Sequence, residues 1–297
     1  MNFERQAAKF MLEIAHRKSD PVRTNTLHVY RSLLDARILP ILGQIEMVDI
    51  NNKTVKALVV SLTESRLSPA TINLAVTLVK QIVKSAVDDE GDPLYPRTWN
   101  TRFIDAPRVN PKSQKAPICP LETLQAAVDE TEGEVRVLIA LLGGTGLRIG
   151  EALTLFVGPD DGVNSFWDPQ AGTLTIRTTL VDREVQHATK TEAGTRTVDL
   201  DPSLNALLHS LLPRTGRLFL TPHRTLRRRL AAHGIQGFHA LRRFRITHLQ
   251  GENVPSTLTK FWAGHAMGDI TERYTKVGAD IQKRKVWSEK AGLGFQL

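Results

Sequence analysis

The chain has 297 residues, 41% of them hydrophobic and 24% charged, and 39 lysines and arginines against 31 acidic residues leave a net charge of +8. These proportions belong to a globular protein and exclude a disordered or collagen-like chain, and the length fits two domains. One cysteine, Cys119, excludes an intrachain disulfide. No apolar run reaches the roughly 18 residues of a membrane span, and the opening MNFERQAAKFMLEIAHRKSD lacks an export signal, so a cytoplasmic protein with no membrane partner is expected.

Taken in chain order, helical spacing of apolar residues predicts helices over 3–18, 25–37 (stopping before LPILG) and 52–65. The clearest helix signal is LSPATINLAVTLVKQIVKSAVDD, where Ser68 can cap and Pro69 suits the first turn. Lys80 and Lys84 lie one turn apart on its polar side, either as a solvated face or as contacts to a polyanion. A compact helical domain of four or five helices over 1–106 follows. DAPRVNPKSQKAPICP (105–120) carries four prolines and no periodicity, which predicts a linker over 107–120. In 121–297, helices are expected over 121–130 and 133–142, with a third beginning in TGLRIGEALTL. Strand-like TLTIRTTL (173–180) and GTRTVDL (194–200) follow, with TEAG as a turn between extended segments. Helices return over 202–212, 222–233, 239–250, 255–263 and 279–290. The predicted fold class is mainly α with a small antiparallel β-sheet.

The charge is segregated. Between Asp201 and Glu252 there is no carboxylate, but there are nine arginines: Arg214, Arg217, Arg224, Arg227, Arg228, Arg229, Arg242, Arg243 and Arg245. Such a stretch is an electrostatic footprint for a polyanion, or else a solvated basic face. Arg227, Arg228, Arg229 and Arg243, with Lys80 and Lys84, are the candidate contacts to a nucleic-acid backbone.

Several other residues can carry chemistry. GTGLRIGE (144–151) places Arg148 just past two glycines at a helix start, where backbone N–H groups and the helix dipole favour a phosphate. Alone, it is equally a plain turn, and its spacing is neither a P-loop nor a dinucleotide fingerprint. HALR sets His239 and Arg242 on one helix face. AGHAMGDITERYT puts His265 after a glycine and Tyr274 nine residues later, and Tyr274 is the one tyrosine beyond the linker. By itself that tyrosine is also an ordinary half-buried packing residue. Lys190, in HATKTEAGTR, lies at the mouth of an expected hairpin. No histidine or cysteine spacing fits a metal site, and neither a serine elbow nor a kinase motif is present. Together these residues form the inventory for attack on a phosphodiester. A tyrosine oxygen can form a covalent intermediate, arginine forks meet the charge growing on the phosphoryl oxygens, and a proton donor serves the leaving oxygen.

The stretches TGLRIGEALTL, TKTEAGTRTVDL, HALRRFRITHL and WAGHAMGDITERYTKV resemble the tyrosine recombinase (phage integrase) family. LSPATINLAVTLVKQIVKSA and ILPILGQIEMVDI look like its helical core-binding domain, so the resemblance covers roughly residues 25–280. It implies a SAM-like core-binding DNA-binding domain and an α+β catalytic domain over 121–297, clamped around a duplex. Tyr274 would attack the scissile phosphate to give a 3′-phosphotyrosine, with Arg148 and Arg242 on the non-bridging oxygens and His265 adding a hydrogen bond. Lys190 would protonate the departing 5′ oxygen, and His239 would assist proton transfer at the nucleophile. Glu151 matches a family acidic position behind these residues. The resemblance further implies a site-specific recombinase or integrase without metal or nucleotide cofactor, acting on paired sites in double-stranded DNA. It implies a homotetramer assembled through the C-terminal tail, which carries Ile281, Val286 and Trp287. Arg243 departs from the pattern, since many relatives have histidine there, and Ala263 replaces a frequent leucine. The N-terminal segment is short for an additional arm-binding domain, which points to a simpler Xer-like or small transposon-type enzyme. The alternatives are a type IB topoisomerase-like relaxation enzyme and a non-catalytic DNA-binding descendant of a recombinase.

Overall fold

The computed structural model describes residues 1–19, 22–110, 117–181, 184–187, 195–211, 215–265 and 277–297. Lys190, Tyr274, Arg214 and the TEAG turn lie outside them. The chain divides into two compact units, Met1–Gln114 and Lys115–Leu297. No helix among the described residues is long and apolar enough to cross a membrane.

The first unit is helical. α1 (Phe3–Ala15) starts at Asn2, whose side chain accepts from the Arg5 N–H. α2 (Thr24–Leu33) does not stop before LPILG: it runs through a π-helical turn, Leu34–Ile38, straight into α3 (Leu39–Leu42). Pro40 directly follows the π-helical turn, in which the Leu39 N–H reaches back to the Leu34 carbonyl. Leu34, Ile38 and Leu42, four residues apart, are all buried, and that apolar stripe carries the chain past the proline. α4 (Asn52–Glu64) opens with an Asn51–Thr54 capping box. α5 (Pro69–Lys84) is capped by Ser68, which accepts from the Thr71 N–H at 3.2 Å, and α6 (Thr101–Ile104) follows. Phe3, Ile38, Leu58, Leu78 and Ile82 form the heart of the core. Lys84 is exposed, whereas the Lys80 ammonium sits 5.7 Å from the centre of the Trp99 ring.

The second unit is built around α8 (Gly133–Thr145), which is apolar on every side and buried throughout 137–145. α7 (Leu121–Asp129), α10 (Pro202–His209) and α12 (Phe238–Gly251) pack on it. After one short helix, α9 (Ile149–Ala152), the chain enters a sheet. Its strands are β1 (Leu155–Val157), β2 (Ser165–Asp168), β3 (Thr173–Ile176), β6 (Arg196–Asp199) and β7 (Gly216–Arg217), ordered β6-β3-β2-β1-β7. β1 and β2 are parallel, with Leu155 opposite Ser165, so the sheet is mixed and not antiparallel as expected. Between them the PDDG segment is a turn: Asp160 accepts from Gly162 N–H, and Asp161 from Val163 and Asn164.

The single strand expected over 173–180 is two strands in different sheets. β3 pairs with β6, while β4 (Thr178–Val181) pairs with β5 (Glu184–His187) in a separate two-stranded ladder. The break is at Arg177. Ser165 Oγ accepts from the N–H groups of both Arg177 (2.8 Å) and Thr178 (2.9 Å), taking the place of a ladder partner, and Arg177 pairs with Asp160. α11 (His223–Ala232) and α13 (Ser256–Ala263) follow, and the last helix is Ile281–Ala291. That last helix packs on its own unit: Arg284 Nε donates to Asp199 Oδ2 at 2.8 Å, and Ser288 is buried. Trp287 packs against the core, whereas Ile281 and Val286 are exposed.

Candidate active site

α8 ends at Gly146, whose φ of 72° is the left-handed conformation that closes a helix at little cost only for glycine. The turn buries Leu147 and brings Arg148 to the head of α9. There the Arg148 N–H donates to Glu151 Oε2 at 2.9 Å and its Nη1 to Oε1 at 2.8 Å. This corrects the sequence reading of a phosphate held by the helix start. α9 is a single turn and a Glu151 oxygen already occupies the Arg148 N–H, which leaves the guanidinium, still 42% exposed, as the part of Arg148 open to an anion.

Glu151 is buried and has a second cation. Arg196, from β6, grips it through Nη2 to Oε2 at 2.8 Å and Nη1 to Oε1 at 3.2 Å. Burial alone would raise the Glu151 carboxyl, but the charge and hydrogen bonds of Arg196, then those of Arg148, outweigh it and hold it below its usual value. Arg196 was not among the expected site residues. The signal was present in TRTVDL: strand alternation puts Arg196 on the face of Val198, which is buried, and an arginine facing inward needs a buried acceptor.

α12 supplies His239 and, one turn on, Arg242. Arg242 is 5% exposed. Its Nη1 donates to the Gly146 carbonyl at 2.7 Å and its Nη2 to the Ala263 carbonyl at 2.5 Å. Burial, then the neighbouring Arg148, lowers it to about 10, which leaves it charged at neutral pH. Both of these partners are neutral carbonyls, so the site keeps its positive charge. His265 follows Gly264, whose φ is 64°, directly after α13. His239 and His265 are both held below the ordinary imidazole value, by partial burial first and Arg242 next, with Arg148 acting on both. Arg148 Nη2 and Arg242 Nη2 thus meet at the turn after α13, on the Gly264 and Ala263 carbonyls directly before His265.

The other arginines of the basic window divide by helix face. Arg245, read from sequence as part of a polyanion surface, is instead buried and donates to the Gly292 carbonyl at 2.5 Å, anchoring the C-terminal segment. Arg243 is half-buried and holds the Pro117 carbonyl at 2.8 Å. Arg227, Arg228 and Arg229 are exposed on α11, which buries Leu226 and Leu230 on its other side. Lys190 and Tyr274 lie outside the described residues.

No family model matches the sequence, and no curated relative matches it either. Solved structures do. The Tn1549 transposon integrase in complex with transposon right end DNA superposes with a TM-score of 0.66 at 18% identity, covering 96% of this chain and 98% of that one. A lambda integrase dimer bound to a COC′ core site gives 0.63 at 15% identity, covering 92% and 77%. A lambda integrase tetramer bound to a Holliday junction gives 0.62 at 15% identity, covering 90% and 78%. Helices around a buried α8, a small mixed sheet and the similarity to these integrases together define the architecture: the chain has the tyrosine-recombinase fold.

Proposed function

We propose that the chain is a site-specific DNA recombinase that cleaves and rejoins strands through a 3′-phosphotyrosine. The observation that carries this reading is the pair of guanidinium groups, Arg148 and Arg242, held on successive carbonyls directly before His265, with His239 one turn before Arg242 on α12. Two guanidinium forks suit the non-bridging oxygens of a phosphodiester and the charge that grows on them. His265 adds a hydrogen bond there, and His239, whose imidazole burial and Arg242 hold below its ordinary value, can take the proton from an attacking hydroxyl. Tyr274 is the nucleophile and Lys190 the donor to the leaving 5′ oxygen. The bond energy stays in the phosphotyrosine and returns when a 5′ hydroxyl attacks, so the reaction needs no cofactor. Residues 1–106 serve as the core-binding domain, 107–120 as the linker and 121–297 as the catalytic domain. Arg227, Arg228, Arg229, Arg243, Lys80 and Lys84 contact the DNA backbone. DNA as partner is supported by the integrase neighbours, whose structures contain DNA, one of them a tetramer on a Holliday junction. Assembly as a homotetramer through the C-terminal tail belongs to the same reading, with Ile281 and Val286 exposed there.

The test is a nicked duplex selected for binding, on which cleavage releases a short oligonucleotide and traps the enzyme. Wild type is expected to form a denaturant-resistant protein–DNA adduct, and Tyr274→Phe none. Binding without an adduct in wild type overturns the enzymatic reading in favour of a DNA-binding descendant. Relaxation of supercoils with no exchange between two sites favours a type IB topoisomerase.

A pH dependence follows from the histidines. Arg242, Arg243 and Arg148 face His239, and Arg242, Arg148, Arg196 and Lys260 face His265, lowering both in the free protein. A bound phosphodiester opposes those cations and raises both imidazoles, so the complex holds more protons than the free protein. DNA affinity should therefore strengthen as pH falls below about 6.5. Fluorescence anisotropy across that window should show the trend, and His239→Gln/His265→Gln should flatten it. An equal slope in the double variant would refute the assignment.

A further inference from the structure

Three successive carbonyls at the end of α13 each accept from a different arginine. Trp262 O takes Arg196 Nε at 2.9 Å, Ala263 O takes Arg242 Nη2 at 2.5 Å, and Gly264 O takes Arg148 Nη2 at 3.4 Å. These are carbonyls at the negative end of a helix, which attract cations, and the next residue is His265. Two of the three arginines present their forks to the site. Arg196 does not: both its terminal nitrogens are paired with the buried Glu151 carboxylate, whereas those of Arg242 donate only to neutral carbonyls.

We propose that Arg196 is a positioning residue that sets the geometry of the phosphate-binding arginines from behind, an inference that rests on the functional reading above. It works through two contacts. By gripping Glu151 it fixes the carboxylate whose Oε1 orients the Arg148 fork. By holding the Trp262 carbonyl it fixes the turn whose next two carbonyls orient Arg242 and Arg148 and whose next residue is His265. Gly264 is fitted to this arrangement. A Cβ there would lie 2.7 Å from both Cζ and Nη1 of Arg196, so the guanidinium lies directly against the turn. The far end of β6 ties the same residue, Trp262, because Asp199 Oδ2 accepts from its Nε1 at 2.9 Å. One short strand thereby registers the α13 terminus, the Glu151 carboxylate and, through them, the Arg148 and Arg242 forks.

Arg196→Lys tests this. Lysine keeps the charge that Glu151 needs but lacks the planar fork, so the variant is expected to fold and to bind the nicked duplex as wild type does. Its single-turnover cleavage rate should fall about tenfold to a hundredfold, the scale of a small misplacement of reacting groups. Glu151→Gln should fall similarly. The double variant Glu151→Gln/Arg196→Lys should fall no further than the worse single, because both act through one contact. Additive losses, or losses of binding and thermal midpoint in step with cleavage, would overturn the proposal. A second readout needs no cleavage. Arg196→Lys keeps the charge near His265, and NMR titration should still show that imidazole titrating at higher pH than in wild type, because Arg148 and Arg242 move away from it. An unchanged titration overturns the positioning link. A wild type that makes no adduct while this shift is seen overturns the functional reading and keeps the link.

Discussion

Arg242→Ala is expected to lower the rate of adduct formation on a nicked duplex by about 10²- to 10³-fold, the cost of deleting one preorganised donor to a developing oxyanion. The size of the effect comes from burial. A guanidinium that is 5% exposed and fixed at both terminal nitrogens by the Gly146 and Ala263 carbonyls loses little freedom when a phosphate arrives. Its charge is also screened little by water in such a site. Deletion also leaves those two carbonyls without their donor, so Arg242→Lys is the companion variant: it keeps the charge and loses the fork. Both variants should hold most of their DNA affinity, which exposed cations elsewhere supply. Single-turnover cleavage at saturating protein, set beside equilibrium binding, separates the two effects. A tenfold or smaller drop in both variants would mean that Arg242 supports the fold and not the phosphate.

The second large effect concerns the C-terminal helix. Asp199→Ala is expected to destabilise the protein by about 3–5 kcal/mol, the range for breaking one side of a buried ion pair. Asp199 is 6% exposed and accepts from Arg284 Nε, Arg284 Nη2 and Trp262 Nε1 at 2.8, 3.3 and 2.9 Å. Without it the Arg284 guanidinium, also buried, retains the Gly278 carbonyl and the Phe261 ring, whose centre is 5.6 Å away, but loses its counter-charge. Urea unfolding should register the loss, and limited proteolysis should cut within 277–297 first. Asp199→Asn with Arg284→Met should recover most of the stability, because removing both charges leaves no buried charge unpaired and Asn keeps an acceptor for Trp262 Nε1. A loss under 1 kcal/mol in Asp199→Ala would place the pair among solvated ones.

Most local structure was legible in the sequence because it is written in local terms. Ser68 and Pro69 mark the start of α5 through capping and a fixed φ, and the apolar spacing marks α1, α4 and α8. Pairing partners were less legible. The run over 173–180 looks like one strand because β-branched residues continue across Arg177. The break is made by Ser165, 12 residues away in sequence. LPILG looks like a stop because of Pro40, and it is overridden by the buried stripe of Leu34, Ile38 and Leu42.

The site shows the same division. The order of Arg148, Lys190, His239, Arg242, His265 and Tyr274 along the chain names the chemistry, because a phosphodiester attacked by a phenol requires those types of side chain. In FHALRRFRITHLQG the sequence by itself determined a helix and a concentration of charge without carboxylates. Only the tertiary structure decided that Arg242 is held by Gly146 and Ala263, that Arg245 is spent on Gly292 and that Arg243 is spent on Pro117. A guanidinium is committed by whichever carbonyls the fold brings within about 3 Å of it, and those carbonyls belong to residues far away in sequence. The same reason hid the partners of the inward-facing Arg196: Glu151 and Trp262 come from elements that meet only when the second unit closes around its core.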